Sequence, residues 1–205
     1  MAAGREQLQP RRRPRQRRAE DTRERILDAA VHVFAVYGYD RGTTNRIAEG
    51  ADISVGSVYQ YFPNKDAILM ELAARHLDLG IAAVRDRRPA RPPASLQEAI
   101  GEIVATAVDN HRQDPAFLRV LLERAPRSSD LMRRVAELQD AATTAMRALL
   151  DGHPEVRVAD RDAAARLAVV TIEAVVHQAL AAPAVLDPAG LARELTVMLT
   201  RYLTH

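Results

Sequence analysis

Residues 43–69 combine side chains suited to binding a phosphate backbone with the spacing of two short helices. The stretch reads TTNRIAEGADISVGSVYQYFPNKDAIL, and its hydroxyl, amide and phenol groups concentrate in the predicted helices 44–50 and 55–61. A buried core does not need this mixture, whereas a surface that lies against nucleic-acid phosphates does. The stretch therefore predicts DNA binding through a helix-turn-helix.

Three apolar residues at intervals of five set the packing of this motif. Ala48 is small enough for its helix to approach the next, Ile53 fills the turn, and Val58 packs back between the two. The spacing alone does not decide the function. The polar residues around it carry that argument.

The start of the helix at 44–50 is a candidate phosphate site. Thr43 is predicted to cap this helix. Because backbone N–H groups and the helix dipole favour an anion there, Thr44 and Arg46 are expected beside a phosphate. Arg46 can also be an ordinary solvated charge.

The next helix supplies the residues expected nearest the bases. Ser54 is predicted to cap it, so its first turn, 55–57, is the part that usually meets base edges. Gly56 lacks a side chain and lets the backbone approach DNA closely. Ser54 can be a cap only, and Tyr61 or Phe62 can be a core aromatic, with Phe62 the expected one. It is improbable that all of these ordinary interpretations hold at once.

Composition agrees with a polyanionic partner. Residues 1–65 carry 12 Lys and Arg against 8 Asp and Glu, whereas the remainder has a net charge of −2. The chain has no cysteine, so a reducing, cytoplasmic compartment is expected. No apolar run approaches the ~18 residues of a membrane helix, and the Arg-rich N-terminus lacks the apolar stretch of a secretory signal.

The apolar periodicity predicts an all-α fold of about nine helices, with no run of period two. Gly38 is expected to end the first helix, Asn64 to cap the fourth, Ser95 and Glu98 to form a capping box, and Asp187 to cap the last. The expected helices are about 21–37, 44–50, 55–61, 65–84, 96–112, 115–124, 129–150, 161–181 and 188–203. The expected domains are a disordered Arg-rich arm 1–20, a helix-turn-helix domain 21–65 and a helical effector-binding and dimerisation domain 66–205. The arm is interpreted either as a DNA-contacting extension or as a solubilising tail.

Residues 22–72 resemble the N-terminal DNA-binding domain of the TetR family of transcriptional regulators. The matching segments are ILDAAVHVFAVYGYD, TTNRIAEGADIS and VGSVYQYFPNKDAILMEL. The resemblance implies a homodimer, a ligand-binding C-terminal domain and usually repression. It also implies phosphate contacts at Thr44, Tyr59, Tyr61 and Lys65, and groove contacts at Arg46, Val55, Gly56, Ser57 and Gln60. One departure is Asp52, at a turn position usually held by glycine; Asp tolerates the left-handed conformation, so the turn is expected to form.

The last two predicted helices are candidates for a dimer interface. The segment AAARLAVVTIEAVVHQALAA is apolar on nearly every face, and the final helix has an apolar stripe. Two such helices can pair with their copies as a four-helix interface or form a core within one chain, and the resemblance favours the dimer. The residues expected there are Val169, Ile172, Val176, Leu191, Leu195, Met198 and Tyr202.

Two polar residues interrupt this apolar helix. Glu173 and His177 are four apart and share a face. Because an unpaired buried charge is costly, they are expected to pair with each other, bridge the dimer or line a cavity. His76 and His111, on apolar helix faces, are interpreted as core histidines or pocket residues. The candidate effector pocket comprises His76, His111, Phe117, Leu121, Met132, Met146, Glu173 and His177.

These features predict a repressor that leaves a double-stranded DNA operator when a small apolar or amphipathic effector binds. The alternative is an effector-independent DNA-binding activator or architectural protein, which the Arg-rich arm favours. No nucleophile elbow, phosphate loop, metal-ligand spacing or acid–base set is recognisable. An enzyme, a cofactor, a metal and a membrane partner are therefore not expected.

Overall fold

The computed structural model describes residues 14–86, 93–111, 115–126, 128–181 and 187–205. Within these residues the chain forms nine helices and no strand, which confirms the all-α fold. The helices are α1 (Pro14–Arg41), α2 (Thr44–Gly50), α3 (Val55–Tyr61), α4 (Lys65–Arg85), α5 (Leu96–His111), α6 (Pro115–Arg124), α7 (Ser129–Gly152), α8 (Arg161–Ala181) and α9 (Pro188–Thr204).

Helix α1 begins earlier than the sequence predicts. It starts at Pro14, so residues 14–20, expected to be disordered, are helical. Proline is tolerated at the first helical position because its missing N–H needs no partner there. The rest of the arm, 1–13, lies outside the described residues. The expected helix end at Gly38 is a kink, with φ 70° and ψ 171°, after which the chain turns once more.

The predicted caps agree with the structure where they are described. Asn64 accepts the Ala67 N–H at 2.9 Å, and Ser95 accepts the Glu98 N–H at 3.1 Å. Asp187 accepts the Gly190 N–H at 2.9 Å at the start of α9. The basic, Pro-rich segment 85–95 predicts a linker, and its residues 87–92 lie outside the described residues. Asp114, which the sequence predicts as the cap of α6, also lies outside them.

The first of two apolar cores joins the helix-turn-helix to later helices. It contains residues from α1 to α4, together with Val120 and Leu121 from α6 and Leu131 from α7. The fully buried Phe34 lies against Gly42, where an added Cβ would meet the Phe34 ring at 2.6 Å. Through Val120 and Leu121, helix α6 packs directly against α1 to α4.

The second core is built around α8, which packs against α5, α7 and α9. Among the described residues, α8 alone is long and apolar enough to span a membrane by length and composition, which corrects the expectation that no stretch qualifies. Its residues Ala168, Ile172 and Val176 are buried in this core. Core helices of soluble proteins commonly pass the same test.

The core also corrects most of the expected dimer interface. Five of the seven residues are buried inside the chain, because α8 and α9 turn these faces towards α5 and each other: Val169, Ile172, Val176, Leu191 and Leu195. Met198 and Tyr202 are 49% and 43% exposed. Leu167 and Val170, which the sequence pattern does not single out, are 51% and 45% exposed on α8.

Candidate DNA-binding surface and ligand cavity

The turn between α2 and α3 forms around Asp52. Its φ of 51° lies in the left-handed region, as expected from its place at a glycine position. The Ile53 N–H donates to the Ala48 carbonyl at 3.0 Å and closes the turn. The Arg25 guanidinium on α1 donates to the Asp52 carbonyl at 3.2 Å and to that of Ala51. Arg25 was not recognised in the sequence because nothing in its local pattern links it to a turn 26 residues away.

Threonine and serine caps fix the two helix starts, as the sequence predicts. Thr43 accepts the Arg46 N–H at 3.4 Å, and Ser54 accepts the Ser57 N–H at 3.0 Å. The Ser54 and Ser57 hydroxyls are 2.8 Å apart. Val55 and Gly56 are exposed beside them, so the start of α3 presents an open surface of backbone and small side chains.

The polar and aromatic residues along α3 differ in their exposure. Thr44 Oγ1 and the Tyr59 hydroxyl lie 3.1 Å apart, and Tyr59 is 53% exposed, as a DNA-contacting phenol requires. Gln60 is exposed next to it. Tyr61 is half-buried against the first core, and Phe62 is 3% exposed, which confirms Phe62 as the core aromatic.

Two basic residues are positioned by aromatic rings of α1. The Arg46 guanidinium lies 4.0 Å from the centre of the Tyr37 ring, which orients an otherwise exposed side chain. Lys65 Nζ lies 4.1 Å from the centre of the Tyr39 ring and donates to the carbonyls of Tyr39 at 2.8 Å and Asp40 at 3.3 Å. Lys65 thus caps the end of α1.

Ion pairs join α4 to α1 behind this surface. Arg75 forms a bidentate contact with Glu24 at 2.5 Å, and Arg23 donates to Glu71 at 2.6 Å. The hydrogen bond from Arg23 lowers the pKa of Glu71, and burial partly opposes this shift. Glu71 also lies 3.7 Å from Arg75.

A cavity opens between α4, α5, α7 and α8. The empty space between these helices is about 790 Å³, including the part open to solvent. Its walls are mostly apolar, with His111, Met146 and Glu173 among them. A second cavity shares Gly80, His111 and Glu173 with the first and extends towards α6.

Seven of the eight expected pocket residues line these cavities. The second cavity contains His76, His111, Leu121, Met132, Glu173 and His177, and the first contains Met146. Phe117 is the exception, because it packs against the first core and lines neither cavity. Leu121 lines the second cavity and also belongs to the first core, so it joins the cavity to the helix-turn-helix.

The polar residues of α8 find other partners than each other. Glu173 accepts a hydrogen bond from Gln139 at 3.4 Å, and burial raises the Glu173 pKa despite that bond. His177 Nε2 lies 2.7 Å from His111 Nε2. Burial, reinforced by the neighbouring histidines, lowers the pKa of His177 to about 4.

The chain has a helix-turn-helix with two exposed, capped helix starts, and a helical bundle that contains a cavity follows it. Together these features define the class of ligand-binding DNA regulators. The family described as "Bacterial regulatory proteins, tetR family" matches residues 26–72. The family described as "Tetracyclin repressor-like, C-terminal domain" matches residues 95–203, more than half of the chain. The protein belongs to the TetR family of bacterial transcriptional regulators.

Individual relatives agree with this assignment. The HTH-type transcriptional repressor KstR of Mycolicibacterium smegmatis is 28% identical over 137 residues, which span 65% of this chain and 66% of that protein. A bacterial regulatory protein of the tetR family from Rhodococcus RHA1 has a TM-score of 0.70 at 23% identity, covering 89% of this chain and 96% of that one. The regulator FadR of Bacillus subtilis, solved in complex with stearoyl-CoA, has a TM-score of 0.64 at 22% identity, covering 86% and 97%. The two structures show the shared fold, and the aligned part of the chain spans just under two thirds of KstR.

Proposed function

We propose that this protein is a homodimeric transcriptional repressor that binds a DNA operator and is released by a small-molecule effector. The observation that carries the proposal is Leu121 on α6. It lines the second cavity and is 6% exposed in the core that contains α1 to α4. A ligand in that cavity would contact a side chain that also supports the DNA-binding unit.

The DNA contacts are assigned to the two capped helix starts. Thr44, Tyr59 and Lys65 present hydroxyl and ammonium donors to phosphates. Arg46 and the turn 55–57 face the groove, with Gln60 one turn later, and Tyr61 is a further phosphate contact. Thr43 and Ser54 act as caps that hold these helix starts. The net charge of +4 in residues 1–65 favours the approach of a polyanion.

The effector is an apolar or amphipathic molecule. The first cavity is lined by residues such as Val169, Ile172 and Met146, which favour a hydrocarbon body. Glu173 and the three histidines lie at one side and favour a polar end group. The stearoyl-CoA complex of the Bacillus subtilis FadR, which shares this fold, supports an acyl-CoA as the first ligand to test.

The dimer forms through the exposed apolar residues of α8 and α9. Leu167 and Val170 on α8, with Met198 and Tyr202 on α9, remain between 43% and 51% exposed in the single chain. Pairing with a second copy would bury them in a four-helix interface. Val170→Glu is then expected to yield monomers in light scattering, whereas Val36→Glu, at a valine on α1 that is 56% exposed, is expected to leave the dimer intact.

Effector and operator are coupled through α4 and α6. Helix α4 starts at the helix-turn-helix and lines both cavities through Gly80. Gly80 lies so close to α7 that an added Cβ would be 3.1 Å from the Leu138 side chain. A ligand that separates α4 from α7 at this point would displace α4. In the dimer such movements change the spacing of the two α3 helices, which reach successive major grooves about 34–36 Å apart.

Selection of operators from random double-stranded DNA, followed by fluorescence anisotropy, tests this function. A preferred sequence should emerge, and stearoyl-CoA should weaken its binding by about 5–150-fold, the usual range of allosteric coupling. Operator DNA must weaken effector binding by the same factor. Binding without sequence preference would reject the repressor, and a tightly bound effector that leaves operator affinity unchanged would reject the coupling.

The open cavities argue against the effector-independent activator or architectural protein, for which a filled C-terminal core is expected. A regulator acting on the bacterial chromosome works in the cytoplasm. The absence of cysteine from the chain agrees with this compartment.

A further inference from the structure

Three histidines from three helices meet at the edge of the second cavity. His76 on α4, His111 at the end of α5 and His177 on α8 have ring centres 4.4 to 6.1 Å apart. Their ligand nitrogens all lie within 4.8 Å of one another. Because the residues are far apart in the sequence, no ligand motif is visible there.

The hydrogen bonding of His111 orients a lone pair into this cluster. Its Nδ1 lies 2.6 Å from the Ala107 carbonyl. A carbonyl can only accept, so Nδ1 carries the proton and Nε2 keeps its lone pair. Nε2 is the atom that faces His177 at 2.7 Å. An imidazole with one nitrogen bonded to a backbone carbonyl and the other free to coordinate is the usual arrangement of a metal-bound histidine.

We propose that His76, His111 and His177 together bind one divalent transition-metal ion of the zinc class. Tetrahedral zinc with nitrogen ligands at 2.0–2.1 Å places these nitrogens about 3.3 Å apart. The observed separations, from 2.7 Å to at most 4.8 Å, bracket this value, so small rotations of the rings assemble the site. On binding, His177 gives up its Nε2 proton and becomes the Nδ1–H tautomer, or coordinates through Nδ1.

Three protein ligands leave one coordination position open. All three histidines line the second cavity, and so does Glu173, one turn before His177. The open position therefore faces the cavity, where water or an oxygen or sulfur donor of the effector can occupy it. Sites with three protein ligands and one exchangeable position are typical of zinc that binds small molecules.

The ion would fix α4 to the C-terminal helices. His76 is the ligand on α4, whereas His111 and His177 belong to the helices that α4 moves against. Metal binding would therefore favour one position of α4 and change operator affinity. This regulatory consequence rests on the proposed repressor function, whereas the site itself does not.

Titration of the untagged, chelator-treated full-length chain tests the site. Zn²⁺ and Co²⁺ should each bind at one ion per chain, and Co²⁺ should develop the intense visible absorption of tetrahedral coordination. His111→Gln and His177→Gln should weaken Zn²⁺ binding at least about 100-fold, since loss of even an outer-shell partner costs 10–100-fold. His32→Gln, at an exposed histidine on α1, is the matched control and should bind like the unaltered chain.

Results on the unaltered chain and on the control variant can each reject the site. Failure to bind Zn²⁺ stoichiometrically at micromolar concentration would overturn the proposal, as would equal loss in His32→Gln. Binding of stearoyl-CoA that needs these histidines but no metal would also overturn it. Stoichiometric Zn²⁺ binding with unchanged operator affinity would support the site and reject only its regulatory consequence. A chain that binds no operator would fail as a repressor, and its Co²⁺ absorption would still test the metal site separately.

Discussion

The hydroxyl of Thr44 on α2 lies 3.1 Å from the phenol of Tyr59 on α3. The hydrogen bond brings two groups from different helices to one point on the exposed surface. Each hydroxyl can donate to one oxygen and accept from another. Each side chain therefore fixes the orientation of the other, which suits the phosphate contact that the proposed function assigns to this pair.

Tyr59→Phe removes one hydroxyl of this pair and leaves the ring. Operator affinity is expected to fall about 5–10-fold, the effect of one net hydrogen bond of 1–1.5 kcal/mol. Because the contact is to phosphate, the loss should be similar for operator and unrelated DNA. Fluorescence anisotropy measures both. Unchanged affinity in Tyr59→Phe would remove Tyr59 from the contact surface.

Gly56→Leu tests whether the start of α3 approaches DNA closely. An added Cβ at Gly56 would meet only Ser54 Oγ, at an ordinary 3.7 Å, so the free protein can accept a side chain. Thermal stability is expected to hold or rise, since leucine forms helices better than glycine by up to about 1 kcal/mol. Operator binding should be lost in a gel shift. Gly152→Leu, at an open position on α7, is the control, and retained binding in Gly56→Leu would exclude close approach.

The helices and caps could be predicted because they depend on local signals. The caps Asn64, Ser95 and Asp187 accept hydrogen bonds from N–H groups three residues further along the chain. The order of residues is therefore sufficient to predict these caps. The left-handed conformation of Asp52 could be predicted because the family resemblance places this residue at a turn position usually held by glycine. The start of α1 at Pro14 was missed because charge repulsion was weighted above the tolerance of proline at a helix start.

The features that the sequence could not predict depend on contacts between helices that are far apart in the sequence. The histidines at positions 76, 111 and 177 meet only once α4, α5 and α8 pack, although each had been named as a pocket residue. Five of the seven residues expected at a dimer interface are buried within the chain for a related reason. A helix that is apolar on every face does not reveal which face meets its own chain, and α8 buries Ile172 while exposing Val170.

Lys65→Ala separates two roles of one ammonium group. Loss of the phosphate contact should weaken binding to all DNA sequences and reduce the salt slope by about one. Loss of the hydrogen bonds to the Tyr39 and Asp40 carbonyls should lower the unfolding free energy by about 1 kcal/mol. Lys65→Gln keeps an N–H donor without the charge, so it should recover stability but not the salt slope. A loss of preference at only one operator base would show that Lys65 does not contact phosphate.

The ion pair between Arg23 and Glu71 predicts a pH-dependent attachment of α4 to α1. The pKa of Glu71 is lowered in the folded chain from its ordinary value of 4.5, so the folded state favours the charged form. Its stabilisation is complete above about pH 4.5 and is lost as the pH falls through the lowered value. Glu71→Gln should therefore lower the unfolding free energy by about 0.5–1 kcal/mol at pH 7 and by less at pH 3.5. Urea unfolding at both values tests this, with Glu123→Gln on α6 as control; an equal loss at both pH values would contradict the ion-pair explanation.

Filling the first cavity should separate effector binding from DNA binding. Ala142 on α7 lines the cavity, whereas the adjacent Ala141 is exposed on the same helix. Ala142→Leu adds three carbon atoms where the effector would lie and removes none of the proposed DNA contacts. Operator affinity without effector is expected to stay within about twofold, while stearoyl-CoA should bind at least tenfold more weakly, the effect of about 1.4 kcal/mol. Ala141→Leu should respond to stearoyl-CoA like the unaltered chain, and an equal response in Ala142→Leu would place the effector outside this cavity.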